Sequence, residues 1–203
     1  MFGTNQREMS RIEEIDKLNR EIKRCKRCRL FETRTNAIVG EGDINSKIMI
    51  VAQAPGENED REDRMFIGPA GKVLDELLDF AGVNRDDVYM TNLIKCKLPK
   101  YRKPKRDEIK SCSLYLNREI DIIKPDVIIP LGYFASSYIL HKYSIEISKD
   151  LRCVYGNIFF TKSAKIILPL RHPAALLYNP ELRDVMTENY RKIMLVAEGL
   201  KGD

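Results

Sequence analysis

The sequence predicts an α/β fold, a three-layer α/β/α sandwich around a central, mostly parallel four-stranded sheet. Two observations support this class. Short runs rich in β-branched residues alternate along the chain with stretches of helical period, as in strand–helix–strand units. The apolar runs IMIVA, VIIPL and IILPL are also continuous, which is typical of parallel strands that are covered on both faces.

The elements can be assigned in order along the chain, which we expect to form one domain over residues 1–203. An N-terminal helical arm, residues 1–24, has an amphipathic pattern with apolar residues at Ile12, Ile15, Leu18 and Ile22. Strands are predicted at 46–53, 87–94, 126–132, 157–162 and 165–170. Helices are predicted at 70–83, 106–123 and 133–143, followed by a closing helix that starts at Pro180.

Composition is that of an ordinary globular protein, with 43% hydrophobic and 32% charged residues. No apolar run approaches the roughly 20 residues of a membrane helix, and the N-terminus lacks the apolar region of a secretory signal. We therefore expect a cytoplasmic protein with no membrane contact. The net charge of +5 is modest and says little about partners.

The distribution of charge is more informative than its sum. Residues 95–110 hold eight basic and two acidic residues, and Pro99 and Pro104 indicate a loop. A second basic cluster, KRCKRCR, spans residues 23–29. Such runs are usually solvated surfaces. Because both segments contain cysteines, a shared ligand would bring them to one place.

Four cysteines form two pairs. Cys25 and Cys28 have C-x2-C spacing, and fifteen residues separate Cys96 from Cys112. Structural disulfides are rare in the cytosol, so metal ligation is the leading interpretation. Zinc and an iron–sulfur cluster both accept four thiolates, and although the widely spaced second pair mildly favours a cluster, spacing alone leaves the choice open. Cys153 is most simply a small apolar filler.

Three unusual segments follow predicted strands. In a parallel sheet, ligands bind outside the carboxyl ends of the strands. The first strand continues into AQAPGENED (52–60), the second carries Asn92 near its end, and the last leads to His172, with Phe66 available nearby as a stacking surface. Each residue alone has an ordinary structural explanation, but together they predict one pocket.

The motifs APGENED, MFIGPAG, TNLIKCKLP and HPAA, together with the cysteine pairs, resemble those of the family 4 uracil-DNA glycosylases of archaea and bacteria. The resemblance runs from about Cys25 to the final helix. It implies a base excision repair hydrolase that cleaves the N-glycosidic bond of a flipped uracil nucleotide and leaves an abasic site. It also implies a structural [4Fe-4S] cluster on the four cysteines that match the family's ligands: Cys25, Cys28, Cys96 and Cys112.

The resemblance assigns roles in the pocket. Phe66 matches the stacking phenylalanine, and Asn92 matches the asparagine that donates to O4 of uracil and accepts from N3–H. His172 matches the histidine of the HP motif, which donates a hydrogen bond to O2 as negative charge develops on the leaving base. Glu59 falls where the family has a glutamate beside C5, so we expect it to exclude thymine.

One motif departs from the family. The usual GEAPG is AQAPG here, and we expect the backbone from Gln53 through Ala54 to Gly56 to contact uracil and position water. A glutamine cannot act as a general base, and Ala54 stands where family 1 enzymes have the water-positioning aspartate. Catalysis would then depend mainly on electrostatic stabilisation, and a slower enzyme or a shifted base preference is equally compatible.

DNA contacts are expected from the basic loop and from the segment after His172. Loop cations would neutralise phosphates regardless of sequence, Arg171 would touch a phosphate, and Leu176 or Leu177 would fill the gap left by the flipped base. Core packing is an equally good explanation for either leucine. The predicted DNA-binding residues are Lys100, Arg102, Lys103, Lys105, Arg171 and Leu176.

Two other functions compete with uracil excision. A non-catalytic DNA-binding homologue would explain the Gln53 change, and a glycosylase for hypoxanthine or xanthine would need a larger pocket near Glu59. A relative that links covalently to uracil-DNA is disfavoured, because no basic, histidine-ended insertion separates APG from TNL. The default state is a monomer acting on single- or double-stranded DNA. The sequence leaves open a sliding clamp as a protein partner.

Overall fold

The computed structural model describes residues 2–147 and 150–199. Its sheet has six strands in the order β1-β3-β2-β4-β6-β5. The strands are β1 (Glu41–Gly42), β2 (Ile48–Ala52), β3 (Tyr89–Asn92), β4 (Val127–Pro130), β5 (Phe159–Phe160) and β6 (Ile166–Ile167).

The predicted parallel core is confirmed. Strands β3, β2, β4 and β6 are parallel neighbours, whereas β1 and β5 pair antiparallel at the two edges. The sheet therefore has six strands instead of the four predicted for it. The edge strand β5 lies within the strand predicted at 157–162, whereas β1 was not predicted. Strand β1 is two residues long, and a strand this short shows no alternation that a sequence could reveal.

Seven α-helices occur in the described part of the chain, namely α1 (Phe2–Lys23), α2 (Glu57–Glu62), α3 (Pro69–Phe80), α4 (Arg106–Ile123), α5 (Gly132–Lys142), α6 (Ala175–Tyr178) and α7 (Arg183–Gly199). Helix α4 has the predicted bounds. The last helix begins after a 3-10 turn at Pro180–Leu182, three residues later than predicted. The sequence did not predict α2 or α6, because both are too short to show a helical period.

Helices cover both faces of the sheet, which confirms the three-layer sandwich. In β2, Met49 and Val51 pack on the side of α1, α4 and α5, whereas Ile50 and Ala52 pack on the side of α3 and α7. The predicted arm is helix α1, which lies against α4. Its face is buried at three of the four predicted positions, while Ile12 is exposed. No described helix combines the length and the apolar character of a membrane span.

The chain beyond β6 continues alongside the end of β4. Leu170 donates its N–H to the carbonyl of Pro130 and accepts the N–H of Gly132. Gly132 has a φ of +77°, and a Cβ there would lie 3.2 Å from the Cβ of His172. This close approach puts His172 at the same edge of the sheet as the ends of β2 and β3.

Candidate functional site

A cavity of about 470 Å³ opens at the carboxyl edge of the parallel strands. Its walls come from the ends of β2 and β3, from α2, from the start of α3 and from the segment after β6. Its volume is within the range of roughly 300–1,000 Å³ that is usual for small-ligand sites. Six of the seven predicted substrate-binding residues line it: Ala54, Gly56, Glu59, Phe66, Asn92 and His172.

His172 presents a neutral imidazole to this cavity. Its Nδ1 accepts the backbone N–H of Ala174 at 3.2 Å, so the ring proton lies on Nε2. Burial lowers the pKa of His172 to about 4, and the nearby Glu59 carboxylate opposes that shift only weakly. The Phe66 ring is 6.2 Å from the imidazole, centroid to centroid. The site therefore holds a hydrogen-bond donor without a positive charge at neutral pH.

Phe66 belongs to a bend whose backbone is held by the side chain of Arg85. Its φ is +50°, in the left-handed region that costs energy for a residue with a side chain. A Cβ on Gly71 would lie 1.8 Å from the Phe66 carbonyl oxygen, so only glycine fits there. Arg85 donates to the carbonyls of Met65 at 2.7 Å and Phe66 at 3.2 Å, and it also pairs with Asp75.

Asn92 and Glu59 are fixed by neighbours within the pocket. Asn92 ends β3, is 3% exposed, and donates from Nδ2 to the sulfur of Met65 at 3.0 Å. Glu59 accepts the backbone N–H of Gly68 at 2.7 Å. Its other carboxylate oxygen would lie 2.5 Å from a Cβ at Gly56, so a side chain there would displace the carboxylate.

A second, narrower cavity is lined by all four predicted metal ligands, Cys25, Cys28, Cys96 and Cys112. The thiols are free, and Cys153 is exposed elsewhere. Arg34 donates to the sulfur of Cys96 at 3.0 Å, and the backbone N–H of Lys95 donates to that of Cys112 at 3.1 Å. Within residues 2–147 and 150–199, no three His, Cys, Asp or Glu side chains are close enough to hold a single metal ion.

The chemistry of these thiols suits a metal group. Burial raises the pKa of Cys28 and Cys96 above the ordinary value and that of Cys112 to about 12. Thiols in such surroundings stay protonated unless a metal replaces the proton, and N–H donors then stabilise the sulfur anion. Four cysteines around one cavity with such donors fit the ligand set of an iron–sulfur cluster.

Comparison with known proteins decides the family. A model of the Uracil DNA glycosylase superfamily matches residues 39–195, which include the whole pocket. The chain belongs to that superfamily. This match confirms the resemblance seen in the sequence.

Relatives within the superfamily cover almost the whole chain. A protein named Type-4 uracil-DNA glycosylase from Sulfurisphaera tokodaii is 43% identical over 92% of this chain and 86% of its own length. Proteins of the same name from Saccharolobus solfataricus and Archaeoglobus fulgidus are 41% and 39% identical, each over 90% of this chain. They are matched over 86% and 92% of their own lengths.

The segment after His172 departs from the sequence-based prediction in this member of the superfamily. Leu176, predicted to contact DNA, is only 5% exposed and packs in the core on the side of α3 and α7. Leu177 and Tyr178, at 46% and 87% exposed, line the rim of the pocket instead. The single turn of α6 decides this, because it directs Leu176 inward and the next two side chains outward.

The basic loop is exposed in part. Arg102 forms two hydrogen bonds with the fully buried carboxylate of Glu108, at 2.9 and 2.6 Å, and so helps to fix the start of α4. The guanidinium of Arg171 lies over the ring of Tyr155, 5.1 Å from its centroid. Three other predicted DNA-binding residues are exposed: Lys100, Lys103 and Lys105.

Gln53 lies in a cavity that adjoins the main pocket rather than in the pocket itself. This cavity of about 260 Å³ also contains Lys97 and Arg102, and it shares His172 and residues 54–56 with the main pocket. The backbone carbonyl of Gln53 accepts the N–H of Ile94 at 2.9 Å. Gln53 is therefore next to the histidine but on the side of the basic loop.

Met65, Arg85 and Tyr178 have roles at the site that the sequence did not assign to them. Met65 is the first residue of the motif MFIGPAG, but the motif assigned no role to its sulfur. Tyr178 follows the two leucines that were predicted to fill the gap left by the flipped base. Arg85 is nineteen positions beyond Phe66 and belongs to no recognised motif, so no sequence signal connects it with the pocket.

Proposed function

We propose that this protein excises uracil from DNA in base excision repair, by hydrolysing the N-glycosidic bond of a flipped nucleotide. The observation that carries the proposal is the presence of a neutral histidine donor, a buried asparagine amide and an aromatic ring in one pocket. The names of the curated relatives support the same reaction. A cytoplasmic, monomeric, one-domain enzyme is part of this proposal, and a sliding clamp remains a candidate partner.

Recognition of uracil follows from the pocket walls. The base enters after flipping, which costs a few kcal/mol of lost stacking and pairing. Phe66 provides a face for stacking, and the amide of Asn92 donates to O4 and accepts from N3–H. Glu59, held by the N–H of Gly68, fills the space beside C5 and rejects the methyl group of thymine.

Cleavage depends on charge stabilisation. As the glycosidic bond lengthens, its electron pair moves to uracil, and Nε2–H of His172 donates to O2 where negative charge develops. Water adds to C1′ from the adjoining cavity and releases a proton to solvent. Gln53 lines that cavity and positions the water with its neutral amide, so no carboxylate base is needed at this position.

We also propose that the cysteines around the second cavity hold a [4Fe-4S] cluster with a structural role. The ligands belong to two distant segments, one after α1 and one on either side of the basic loop. Their common attachment would fix the loop that carries Lys100, Lys103 and Lys105 next to the pocket. These lysines would neutralise DNA phosphates without reading sequence.

Of the two leucines predicted to fill the gap left by the flipped base, only Leu177 is exposed, and we assign this role to Leu177 and Tyr178 instead of Leu176. We expect Tyr178→Ala to weaken binding to uracil-containing duplex by about 1–3 kcal/mol, the usual contribution of an aromatic ring stacked on a base. Leu176→Ala should instead lower the free energy of unfolding by about 2–5 kcal/mol, because it removes a core side chain. Fluorescence anisotropy and thermal unfolding of both variants separate the two effects. Equal binding by Tyr178→Ala and the wild type would refute the reassignment.

The experiment that tests the function is base release from a 5′-labelled single-stranded oligonucleotide with one uracil, measured as alkali-cleaved product. Matched oligonucleotides carry thymine, hypoxanthine or xanthine at the same position. We expect cleavage at uracil only, which would also show that Gln53 is tolerated. Release of a deaminated purine in place of uracil would change the substrate. Binding without any release would favour the non-catalytic homologue.

A further inference from the structure

The bend at Met65 and Phe66 supports both halves of the uracil pocket. Phe66 provides the stacking ring, and the sulfur of Met65 accepts the Nδ2–H of Asn92 at 3.0 Å. That contact orients the amide that distinguishes uracil from cytosine, since rotating the amide would exchange its donor and acceptor. The bend lies outside helices and strands, so no backbone ladder holds it. Its geometry must come from side chains around it.

Arg85 provides most of that support. It stands in the turn Arg85–Asp87 before β3, and its guanidinium bridges the two successive carbonyls of Met65 and Phe66. The Nη1 atom that donates to the Phe66 carbonyl also donates to Asp75 on α3, at 2.7 Å. This second bond anchors the Arg85 side chain to the helix next to the bend. A planar guanidinium can span two carbonyls and a carboxylate, whereas a lysine ammonium is a single point of charge.

In the described part of the chain, the other contacts of the bend fix Met65 but form no hydrogen bond to the backbone of Phe66. The N–H of Met65 donates to Glu41 at 2.8 Å, which fixes the start of the bend from the side of β1. Gly71 leaves room for the Phe66 carbonyl without bonding it. The left-handed conformation of Phe66 is unfavourable, so loss of the bond to its carbonyl would allow the backbone and ring to relax away.

We propose that Arg85 is a positioning residue for uracil recognition. It holds the bend so that the Phe66 ring and the sulfur-bound amide of Asn92 face the base. This inference rests on the proposed function and deepens it. Because Arg85 touches neither His172 nor the adjoining cavity, its loss should impair binding of the flipped base rather than bond cleavage.

The test compares Arg85→Met with a matched control, Arg183→Met. Arg183 forms an ion pair with Glu76, the residue after Asp75 on α3, and its side chain is half exposed. Among the described residues, Arg183 forms no hydrogen bond to the bend. Uracil release from the single-stranded oligonucleotide gives KM and kcat for the cluster-loaded proteins. Binding is measured on oligonucleotides that carry either non-hydrolysable 2′-fluoro-2′-deoxyuridine or thymidine at one position.

We expect Arg85→Met to raise KM and to weaken binding to the 2′-fluoro-2′-deoxyuridine oligonucleotide, each by roughly 10- to 100-fold, because charge-assisted hydrogen bonds are lost. Binding to the thymidine oligonucleotide and kcat should stay within about two- to threefold, as expected for a change confined to recognition of the base. Arg85→Lys should recover only part of the loss, and Arg183→Met should match the wild type.

A loss of binding that is equal for both oligonucleotides, or full recovery in Arg85→Lys, would overturn the proposal. If Arg85→Met does not fold, Arg85→Lys decides the proposal, because it keeps the positive charge and loses the planar fork that spans the two carbonyls. It should still weaken binding to the 2′-fluoro-2′-deoxyuridine oligonucleotide with little change in melting temperature, and wild-type binding would overturn the proposal. A wild type that releases no uracil would refute the proposed function, while the binding measurements would still decide the role of Arg85.

Discussion

Replacement of His172 by alanine is expected to slow uracil release by about 10²- to 10³-fold, the usual cost of removing one preorganised donor from a buried transition state. The neighbours of His172 orient its imidazole as a hydrogen-bond donor to the leaving base. Its Nδ1 is taken by the N–H of Ala174, which leaves Nε2–H as the only donor, and the ring faces the cavity. Single-turnover rates with saturating enzyme measure the chemical step directly.

His141 provides the matched control, because it is the only other histidine, is exposed on α5 and does not line the pocket. His141→Ala should release uracil at the wild-type rate. His172→Ala should still bind the fluorouridine oligonucleotide within about tenfold, since the hydrogen bond matters mainly in the transition state. A His172→Ala enzyme of unchanged rate would remove the histidine from the mechanism.

The low pKa of His172 gives this prediction a pH dependence. Burial places the folded-state pKa at about 4, below the ordinary 6.5, so the ring stays neutral as pH falls from 8 to about 5. Uracil release should therefore show no His172 titration near pH 6.5. The unfolded state takes up the proton first, so the stability contributed by the neutral ring is lost as pH falls from 6.5 towards 4. The ¹⁵N shifts of the imidazole would show the neutral Nε2–H form.

Cys96→Ser tests the proposed cluster, and we expect this variant to lack bound iron and to be much less stable than the wild type. Metal binding to a site that exists only in the folded state contributes directly to folding, so a loss of several kcal/mol would lower Tm by on the order of 10 °C in a chain of this size. Binding to any oligonucleotide should weaken as well, because the basic loop loses its attachment. Iron content, visible absorbance and thermal unfolding measure the three effects.

Cys153→Ser is the control for that experiment, since Cys153 is exposed and lies outside the cysteine cavity. It should keep full iron content and the wild-type Tm. Zinc in place of iron in the purified protein would contradict the cluster assignment, while leaving the four cysteines as ligands. Full iron content in Cys96→Ser would exclude Cys96 as a ligand.

The part of the pocket at the strand ends was predictable from the sequence. Asn92, His172 and the APG turn each stand at the end of an apolar run, and parallel strands bring their carboxyl ends to one edge. Gln53 follows the same rule but lies in the adjoining cavity. A strand end determines the edge of the sheet that a residue reaches, whereas the direction of its side chain depends on local backbone geometry.

The sequence by itself determined the parallel core and the residues at its carboxyl edge, because the apolar period and the position of a motif after a strand are local properties of the chain. Only the tertiary structure decided which leucine of α6 is exposed, that Arg102 is engaged with Glu108, and that Arg85 reaches the bend at Phe66. Each of these depends on which surface a side chain meets after packing. Contacts between segments distant in the chain leave no period and no motif in the sequence.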